Sequence, residues 1–495
     1  MKSKILFILH LPPPVHGAAM MGKYIHDSEL IHEEFDCKYI NLTTAKSLQD
    51  IGKGGIRKLW KFVCLLGKIV KAVIGFKPQL VYVTPNACGG AFYKDFVVVQ
   101  LLKLMGLRVV AHYHNKGVAT RQNRWLDDKL YRRFFKGIKV ILLAEALYKD
   151  VEKYVSLENV CICPNGIPET LTEEPSAERH NKVPHLLFLS NMLVSKGVFV
   201  LLDACKILKD KGYSFVCEFV GGETAEIDAA KFNEEVKKRG LNEIAFYKGK
   251  KYDEEKSRAF EKADIFTFPT FYPNETFGLV NLEAMEHKLP VVSTNEGGIV
   301  DVIKNGENGL IAEKENPLSL ADCIEKLLDA KQLREKMGED GYHKFKADFT
   351  LNAFENKLFE SINKSLSGGV NINIALYYGK KYGHDKLLFF KNADIFVFPT
   401  NYPNECFPLV LLEAMEYALP CISTNEGGIN DIIDSKTGFV INKNDTNALA
   451  DKIEWLFINN TERISKGLAG RQRFKEEFTL SQFEKRMTNI FKNIL

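Results

Sequence analysis

A stretch of 59 residues occurs twice in this chain of 495 residues. Residues 245–303 return as residues 375–433 at a constant offset of 130, and 38 of the 59 positions are identical. Two copies with so long a period are too few for a solenoid, so we interpret them as a partial duplication of one domain. The residues after 365 repeat neither the apolar run 185–190 nor the segment around Lys196. The second copy is therefore predicted to lack the first strands of its own sheet.

The composition excludes several classes of protein. Hydrophobic residues make up 45% and charged residues 26%, which is typical of a globular α/β protein and unlike a disordered or collagen-like chain. Ten cysteines without paired CxxC sets indicate reduced thiols in a cytosol rather than a metal or disulfide scaffold. Charged residues interrupt the best apolar stretch, so we expect no membrane-spanning helix and a cytoplasmic location.

Short apolar runs that alternate with segments of helical length predict the fold. The alternation begins with a strand at 4–10 and passes through two series, so we expect an α/β protein with two Rossmann-like domains and an extra half-domain. The predicted domains are 1–170, 183–365 and the partial duplicate 366–495, which repeats 240–363, with a linker at 169–182. The further predicted strands are 80–84, 108–112, 140–143, 160–164, 185–190, 215–221, 244–247, 265–269, 290–294 and 309–312.

Positive charge is concentrated at the start of the chain. Residues 1–150 carry 24 Lys and Arg against 11 Asp and Glu. This asymmetry indicates an anionic partner, either a phospholipid surface or a phosphate-bearing substrate, and no nucleic acid is expected because no base-reading motif accompanies it. A predicted helix at 56–76 has a narrow basic stripe, which favours either a membrane contact or a helix that simply covers the sheet. The basic residues are Arg57, Lys61, Lys68 and Lys71, with a second cluster of Arg121, Arg124, Arg132, Arg133 and Lys136.

Two carboxylates, Glu275 and Glu283, flank the predicted start of a helix. Backbone N–H groups at Phe277, Gly278 and Leu279 would there face an anion, with the positive end of the helix dipole behind them. Because carboxylates accept hydrogen bonds from sugar hydroxyls, the arrangement suits a phosphate flanked by two sugars. The alternative is that both glutamates only complement the helix dipole. Ligands collect at the carboxyl ends of strands in open α/β sheets, and this position favours a binding site.

Three residues in other loops are further candidates. Lys196 precedes Gly197 at a strand-to-helix turn, where it either places an ammonium group beside a leaving diphosphate or is a solvated surface charge. His114 follows a predicted strand and either bonds to a sugar hydroxyl or caps the loop. Gly17 ends a Pro-rich loop, where a bare backbone either approaches a ligand or makes a turn. A dehydrogenase would need GxGxxG at this place, and none is present.

These motifs resemble those of the retaining glycosyltransferases of glycosyltransferase family 4, which have the two-domain GT-B fold. The resemblance covers 1–365. It is most specific at FGLVNLEAM, residues 277–285, which follows Glu275 and contains Glu283, and at PVVSTNEGG, residues 290–298. It is weaker at SNMLVSKG and PNG. It implies that the two domains face a cleft, that Glu275 contacts the transferred sugar, and that Glu283 contacts the ribose. The diphosphate would lie against the amides of Phe277, Gly278, Leu279 and Val280.

The resemblance also assigns residues outside this motif. It implies that His114 is the active-site histidine and that Gly17 belongs to the glycine loop that approaches the substrate. With Lys196 beside the diphosphate, no metal is then needed. Asn191 stands where the family usually has Arg, which removes one cation and is expected to weaken or reshape diphosphate binding.

The second copy keeps only part of this pattern. Glu405 and Glu413 retain the eight-residue spacing, but Pro408 replaces Gly278 and removes one backbone donor. The copy has no counterpart of Lys196. We therefore predict that it is catalytically secondary or silent, with a regulatory or purely structural role as the alternative.

Together these observations predict a metal-independent hexosyltransferase, and the resemblance implies that it retains the anomeric configuration. It would move a sugar from a nucleotide-diphosphate sugar, a donor substrate rather than a cofactor, to a hydroxyl of a glycan or lipid-linked acceptor in cell-surface polysaccharide synthesis. The basic first domain is expected to contact the inner face of an anionic membrane. The alternatives are a non-catalytic nucleotide-sugar binder with a regulatory role and a GT-B epimerase, which would release nucleotide without an acceptor.

Overall fold

The computed structural model describes residues 2–13, 17–42, 56–171, 174–177, 179–366 and 380–494, without the side chains of 56–59, 384–385 and 494. It divides into two compact units. Unit 1 is Met1–Ile374 and unit 2 is Ala375–Leu495.

The first sheet of unit 1 has six parallel strands in the order β2-β1-β3-β4-β5-β6. The chain places β2 on one side of β1 and β3 on the other, so the loops after β1 and β3 lie on either side of a crevice. The strands are β1 (Ser3–Leu9), β2 (Phe35–Asn41), β3 (Leu80–Val83), β4 (Val109–Tyr113), β5 (Lys139–Leu142) and β6 (Val160–Ile162). The helices are α1 (Gly17–Asp27), α2 (Glu29–Glu34), α3 (Ile56–Phe76), α4 (Gly89–Leu104), α5 (Val118–Arg121) and α6 (Trp125–Phe135).

The second sheet also has six parallel strands, in the order β12-β11-β10-β7-β8-β9. Its switch point lies between β7 and β10, because the chain runs outward to β9 and then returns to the other side of β7. The strands are β7 (His185–Leu189), β8 (Val216–Val220), β9 (Ala245–Tyr247), β10 (Ile265–Phe268), β11 (Val291–Thr294) and β12 (Gly309–Ala312). The helices are α7 (Val198–Asp210), α8 (Ala229–Lys238), α9 (Asp253–Lys262), α10 (Leu279–Glu286), α11 (Ile299–Val302), α12 (Pro317–Asp329), α13 (Lys331–Asp348) and α14 (Leu351–Leu366).

The two Rossmann-like domains were predicted correctly, with every predicted strand confirmed to within one or two residues at its ends. Strand β2 was missed. Its sequence FDCKYIN mixes polar and apolar residues, and it lies at the edge of the sheet with most of its residues partly exposed. A continuous apolar run marks only strands that are buried on both faces.

Helix α3 covers one face of the first sheet. Ile69 and Ala72 are buried in the core, whereas Lys68 and Lys71 are exposed. The helix therefore packs on the sheet and also presents a basic outer stripe; the side chain of Arg57, which belongs to the predicted stripe, lies outside the described residues. In the described ranges, no helix is both long and apolar enough to span a bilayer.

Unit 2 contains one sheet of three parallel strands among its described residues, in the order β13-β14-β15. The pairing of Phe396 with Cys421 lies 130 residues after the pairing of Phe266 with Val291, so the register of β10 and β11 recurs. Residues 375–379, where the second copy begins, lie outside the described residues. The elements are α15 (Gly383–Asn392), β13 (Phe396–Phe398), α16 (Leu409–Glu416), β14 (Cys421–Thr424), α17 (Ile429–Ile432), β15 (Gly438–Ile441), α18 (Thr446–Ile458), α19 (Asn460–Arg473) and α20 (Leu480–Ile494).

Candidate active site

Lys196 and Glu275 meet at the switch point of the second sheet. Lys196 follows β7 and Glu275 follows β10, the two strands on either side of that point. The ammonium group of Lys196 contacts the Glu275 carboxylate, and both side chains are largely buried. Lys196 Nζ also lies 5.3 Å from the ring centre of Phe268 and 4.7 Å from that of Tyr272, so two aromatic faces hold the cation in place.

Helix α10 begins immediately after this ion pair. Gly278 caps it in the left-handed conformation, with φ of 66° and ψ of 65°. A Cβ at Gly278 would lie 2.7 Å from Nδ2 of Asn281, so both the backbone angle and the space favour glycine. The Phe277 side chain is buried and anchors the turn, while Leu279 and Val280 are partly exposed. The first N–H groups of a helix have no partner within it, so this end can receive an anion.

Glu283 lies in the second turn of α10 and forms an ion pair with Lys256 of α9. Sequence reasoning missed Lys256, although it is one of the positions that the second copy retains, as Lys386. Burial raises the pKa of the Tyr24 phenol, and the nearby Glu283 carboxylate raises it further. Because Tyr24 belongs to α1, Glu283 faces the first domain across the cleft.

His114 brings the first domain to the same place. Its backbone oxygen accepts a hydrogen bond of 3.2 Å from Oγ1 of Thr276, the neighbour of Glu275. Its ring lies 4.2 Å from that of His112. His112 is fully buried, and its Nδ1 lies 2.5 Å from the hydroxyl of Tyr82. Burial, with His114 nearby, lowers the pKa of His112 well below its ordinary value, so His112 is neutral, whereas His114 is only partly buried.

A second ion pair connects the two domains, and sequence reasoning did not find it. The ammonium group of Lys116 contacts the buried carboxylate of Glu296, which also binds Nζ of Lys314 at 2.7 Å. Two residues further along, the N–H of Gly298 donates to the oxygen of Thr276 at 2.7 Å. The sequence signal was again the repeat, because Glu296 recurs as Glu426.

Gly17 and Asn191 lie at the two crevices without contacting this cluster in the described part of the chain. Gly17 is the exposed first residue of α1, and a Cβ there would meet no described atom within 4 Å. Packing therefore does not require glycine at Gly17, and its predicted role toward a substrate stays a prediction. Asn191 is exposed after β7, and its Oδ1 would lie 3.2 Å from a Cβ on Gly222.

Unit 2 keeps the acidic part of the site and changes the anion-binding part. Glu413 forms an ion pair with Lys386, as Glu283 does with Lys256. The residue before α16 is Pro408, whose φ of −73° and ψ of 107° are extended rather than left-handed. Proline has no N–H to donate, so the start of α16 differs from that of α10. Across the described ranges, no group of three or more His, Cys, Asp or Glu side chains could hold a metal ion.

Several solved structures share the fold of unit 1. The structure of Anabaena HepE in complex with UDP matches it with a TM-score of 0.57 and 16% identity, covering 74% of this chain and 100% of HepE. A glycosyltransferase from Rickettsia africae matches with a TM-score of 0.56 and 19% identity, covering 74% and 99%. Likeness at this identity concerns the fold alone, and it defines the class as GT-B: two Rossmann-like domains facing a cleft.

The family follows from the sequence. The model described as "Glycosyl transferases group 1" matches residues 171–344 and 356–473, which together cover more than half of the chain and include one copy of the repeat each. The chain belongs to this family. CapM of Staphylococcus aureus, a capsular polysaccharide biosynthesis glycosyltransferase, is 29% identical over 188 residues, 36% of this chain and 46% of CapM. The alpha-D-kanosaminyltransferase of Streptomyces kanamyceticus is 28% identical over 296 residues, 55% of this chain and 74% of that enzyme.

Proposed function

We propose that unit 1 transfers a hexose from a nucleotide-diphosphate sugar to a hydroxyl group, with retention of the anomeric configuration. The observation that carries this proposal is the contact of Lys196 with Glu275 at the start of α10. A cation, a carboxylate and a helix N-terminus lie together there, at the switch point of the second sheet. The chain also belongs to the group 1 glycosyl transferases. This combination suits a diphosphate whose two sides carry sugars with hydroxyl groups.

The proposed roles follow from the position of each group. Lys196 and the amides of Phe277, Gly278, Leu279 and Val280 would stabilise the charge that develops on the leaving diphosphate, an effect of about 3 kcal/mol for one well-placed donor. Glu275 would accept hydrogen bonds from the transferred sugar, and Glu283 from the ribose. In the free protein Lys196 forms an ion pair with Glu275. On binding, the donor's phosphate would therefore share the Lys196 ammonium group with the Glu275 carboxylate. Because the ammonium and the amides supply the positive field, we propose metal-independent transfer.

His114 lies where the first domain meets the loop of Thr276, so it would bond to the sugar or to the reacting centre. Among the groups placed here, none has the position of a covalent nucleophile. We therefore propose attack from the face of the leaving group, with the departing phosphate oxygen accepting the acceptor's proton. Closure of the cleft would exclude water, which otherwise hydrolyses the donor.

We propose a glycan or lipid-linked acceptor in cell-surface polysaccharide synthesis, on the inner face of the membrane. CapM, by its name, acts in capsular polysaccharide biosynthesis, and it shares part of its sequence with this chain. Two exposed tryptophans of the first domain, Trp60 near the start of α3 and Trp125 at the start of α6, support a peripheral contact with anionic lipid. Lys68 and Lys71 extend the same outer face of α3.

The test is a transfer assay in which the chain supplies its own control. The purified full chain is incubated with a panel of nucleotide sugars and acceptor lipids, and nucleotide release and product are both measured. Glu275→Gln should lower turnover by roughly a hundredfold or more. Glu405→Gln, the same change in unit 2, should leave turnover within about twofold. Equal losses would mean that both copies work together.

The same assay separates the alternatives. Asn191, in place of the usual arginine, favours a binder without turnover. Such a protein would bind a nucleotide sugar in calorimetry and release no nucleotide with any acceptor. An epimerase would release nucleotide in the absence of acceptor. Release that requires an acceptor and yields a glycosylated product is the result that supports transfer.

A further inference from the structure

Helix α14 returns from the second domain of unit 1 to pack on the first domain. An apolar stripe at positions i, i+4 and i+8, formed by Phe354, Leu358 and Ile362, is fully buried. The stripe lies in one core cluster with Ile5 and Phe7 of β1. The first sheet thus has a groove on this face, and α14 fills it.

Helix α20 is the counterpart of α14 in unit 2, with an offset of 129 residues. The shared sequence FTL precedes or begins both helices, at 349–351 and 478–480. Phe483, Met487 and Phe491 occupy the positions of the buried stripe of α14. In α20 these positions are less covered: Phe483 is 59% exposed, Phe491 is 55% exposed, and Met487 between them is partly exposed. Leu480 and Ile490, on the same face, are 72% and 50% exposed.

Two kinds of substitution distinguish α20 from α14. The first concerns the apolar stripe, where Ser361 of α14 corresponds to Ile490 and Ser365 to Ile494. Both serines are buried in α14 and bond to carbonyl oxygens one turn earlier, so the groove accommodates a small residue at these positions. An isoleucine at Ser361 would overfill the groove. The face of α20 is therefore more apolar than that of α14 and no longer fits the same surface.

The second kind of substitution concerns charge. Helix α14 has two acidic and two basic residues, whereas α20 has one acidic residue, Glu484, and three basic ones. Lys485, Arg486 and Lys492 replace Asn356, Lys357 and Asn363, and Asn489 replaces Glu360. The polar side of α20 has thus become positive while its other side has become continuously apolar. A helix with a basic polar side and an apolar face of about 100° is typical of helices that lie in a membrane interface.

We propose that α20 binds the surface of an anionic phospholipid bilayer, with Leu480, Phe483, Ile490 and Phe491 in the acyl boundary. The inference concerns unit 2 and holds whether or not unit 1 transfers sugar. It assigns the duplicated half-domain a role as a lipid anchor, separate from the contact of the first domain. A groove on a second copy of this chain is the weaker candidate, because the groove of each first domain already holds α14 and does not fit Ile490.

The experiment places one fluorophore at two positions of α20 in the full chain. In a background with the exposed Cys64 and Cys406 changed to serine, Phe491→Cys carries an environment-sensitive dye on the apolar face. Asn489→Cys carries it on the polar side as the matched control. The probes are vesicles of phosphatidylcholine alone and of phosphatidylcholine with an equal part of phosphatidylglycerol. Circular dichroism checks that both variants keep their fold.

The dye at position 491 should shift to the blue and become protected from an aqueous quencher on the mixed vesicles, while the dye at 489 should not. Changing Lys485 and Lys492 together to glutamine should weaken this binding roughly tenfold or more. Vesicle binding that leaves the dye at 491 unchanged would overturn the proposal, as would an equal response to neutral vesicles. A blue shift without lipid that grows with protein concentration would assign the face to a second copy and also overturn it.

Discussion

Lys116 and Glu296 are 180 positions apart in the chain, and their ion pair joins the two Rossmann-like domains of unit 1. Lys116 follows His114 by two residues, and Glu296 precedes the Gly297-Gly298 turn. A Cβ at Gly297 would lie 2.3 Å from the backbone oxygen of Glu275, so this turn packs directly on the candidate catalytic loop. The ion pair therefore fixes the spacing of the two domains beside the proposed reaction centre.

Protonation of Glu296 should weaken unit 1. Burial opposes ionisation of this carboxyl, but Lys116 and Lys314 outweigh burial and hold its pKa below the ordinary value. The pKa of Glu296 is thus lower in the folded state than in the unfolded state, where it is about 4.3. The ion pair therefore contributes its full stability above that pH, and this contribution is lost as the pH falls through the lowered pKa. Glu296→Gln should cost about 3 kcal/mol of unfolding free energy at neutral pH. The difference from the wild type should shrink toward pH 3, as measured by urea unfolding.

The control for this prediction is Glu426→Gln. Glu426 is the counterpart of Glu296 in unit 2 and contacts Lys443, at the position that corresponds to Lys314. It belongs to the other unit, so its loss should not change the pH dependence of unit 1. A difference between Glu296→Gln and wild type that stays constant from pH 7 to pH 3 would refute the assigned role of the carboxylate.

Lys256 should act through Glu283. Its ion pair holds the carboxylate that we propose for the ribose, and both side chains are about a quarter exposed. Lys256→Met should therefore raise the KM for the donor by roughly threefold to tenfold and change kcat little, because solvent screens a partly exposed pair. Lys386→Met removes the same pair in unit 2 and should leave both constants unchanged. Equal effects of the two substitutions would contradict a single working site.

The sequence predicted those features that depend on local pattern. Strands buried on both faces, such as β7 and β10, are continuous apolar runs, and the loops at their carboxyl ends contain Lys196 and Glu275. The repeat also contained unused information, because positions retained in both copies include Lys256 and Glu296. A residue that is present in both copies of the repeat is a candidate for a constraint even where no motif explains it.

Features that depend on distant partners could not be predicted. Nothing near Lys116 indicates that it meets a carboxylate 180 positions away. The apolar stripes of α14 and α20 follow the same 3.6-residue period, yet one is buried and the other exposed. Periodicity indicates which face of a helix is apolar but does not reveal what covers it.

Gly278 should be needed for catalysis as well as for the stability of the turn that begins α10. Its left-handed conformation costs an alanine about 1 kcal/mol, and Cβ would press on Asn281 and disturb the start of α10. Gly278→Ala should thus lower both stability and turnover, the latter by roughly tenfold or more. Gly306→Ala is the control, since Gly306 has a φ of 85° with no described atom within 4 Å of a Cβ. It should share the cost in stability and keep full turnover.

The two related phenylalanines Phe354 and Phe483 should differ sharply in their contribution to stability. Phe354 is fully buried between α14 and the first sheet, so Phe354→Ala should cost about 3 to 5 kcal/mol in the unfolding of unit 1. Phe483 is 59% exposed, and Phe483→Ala should change the unfolding free energy by no more than about 0.5 kcal/mol. Both unfolding free energies are measured by urea denaturation. In a Trp455→Phe background the fluorescence of Trp60 and Trp125 follows the unfolding of unit 1, and circular dichroism follows the unfolding of the whole chain. A large loss for Phe483→Ala in the absence of lipid would mean that the face of α20 is covered in the free protein, which contradicts its assignment to a membrane surface.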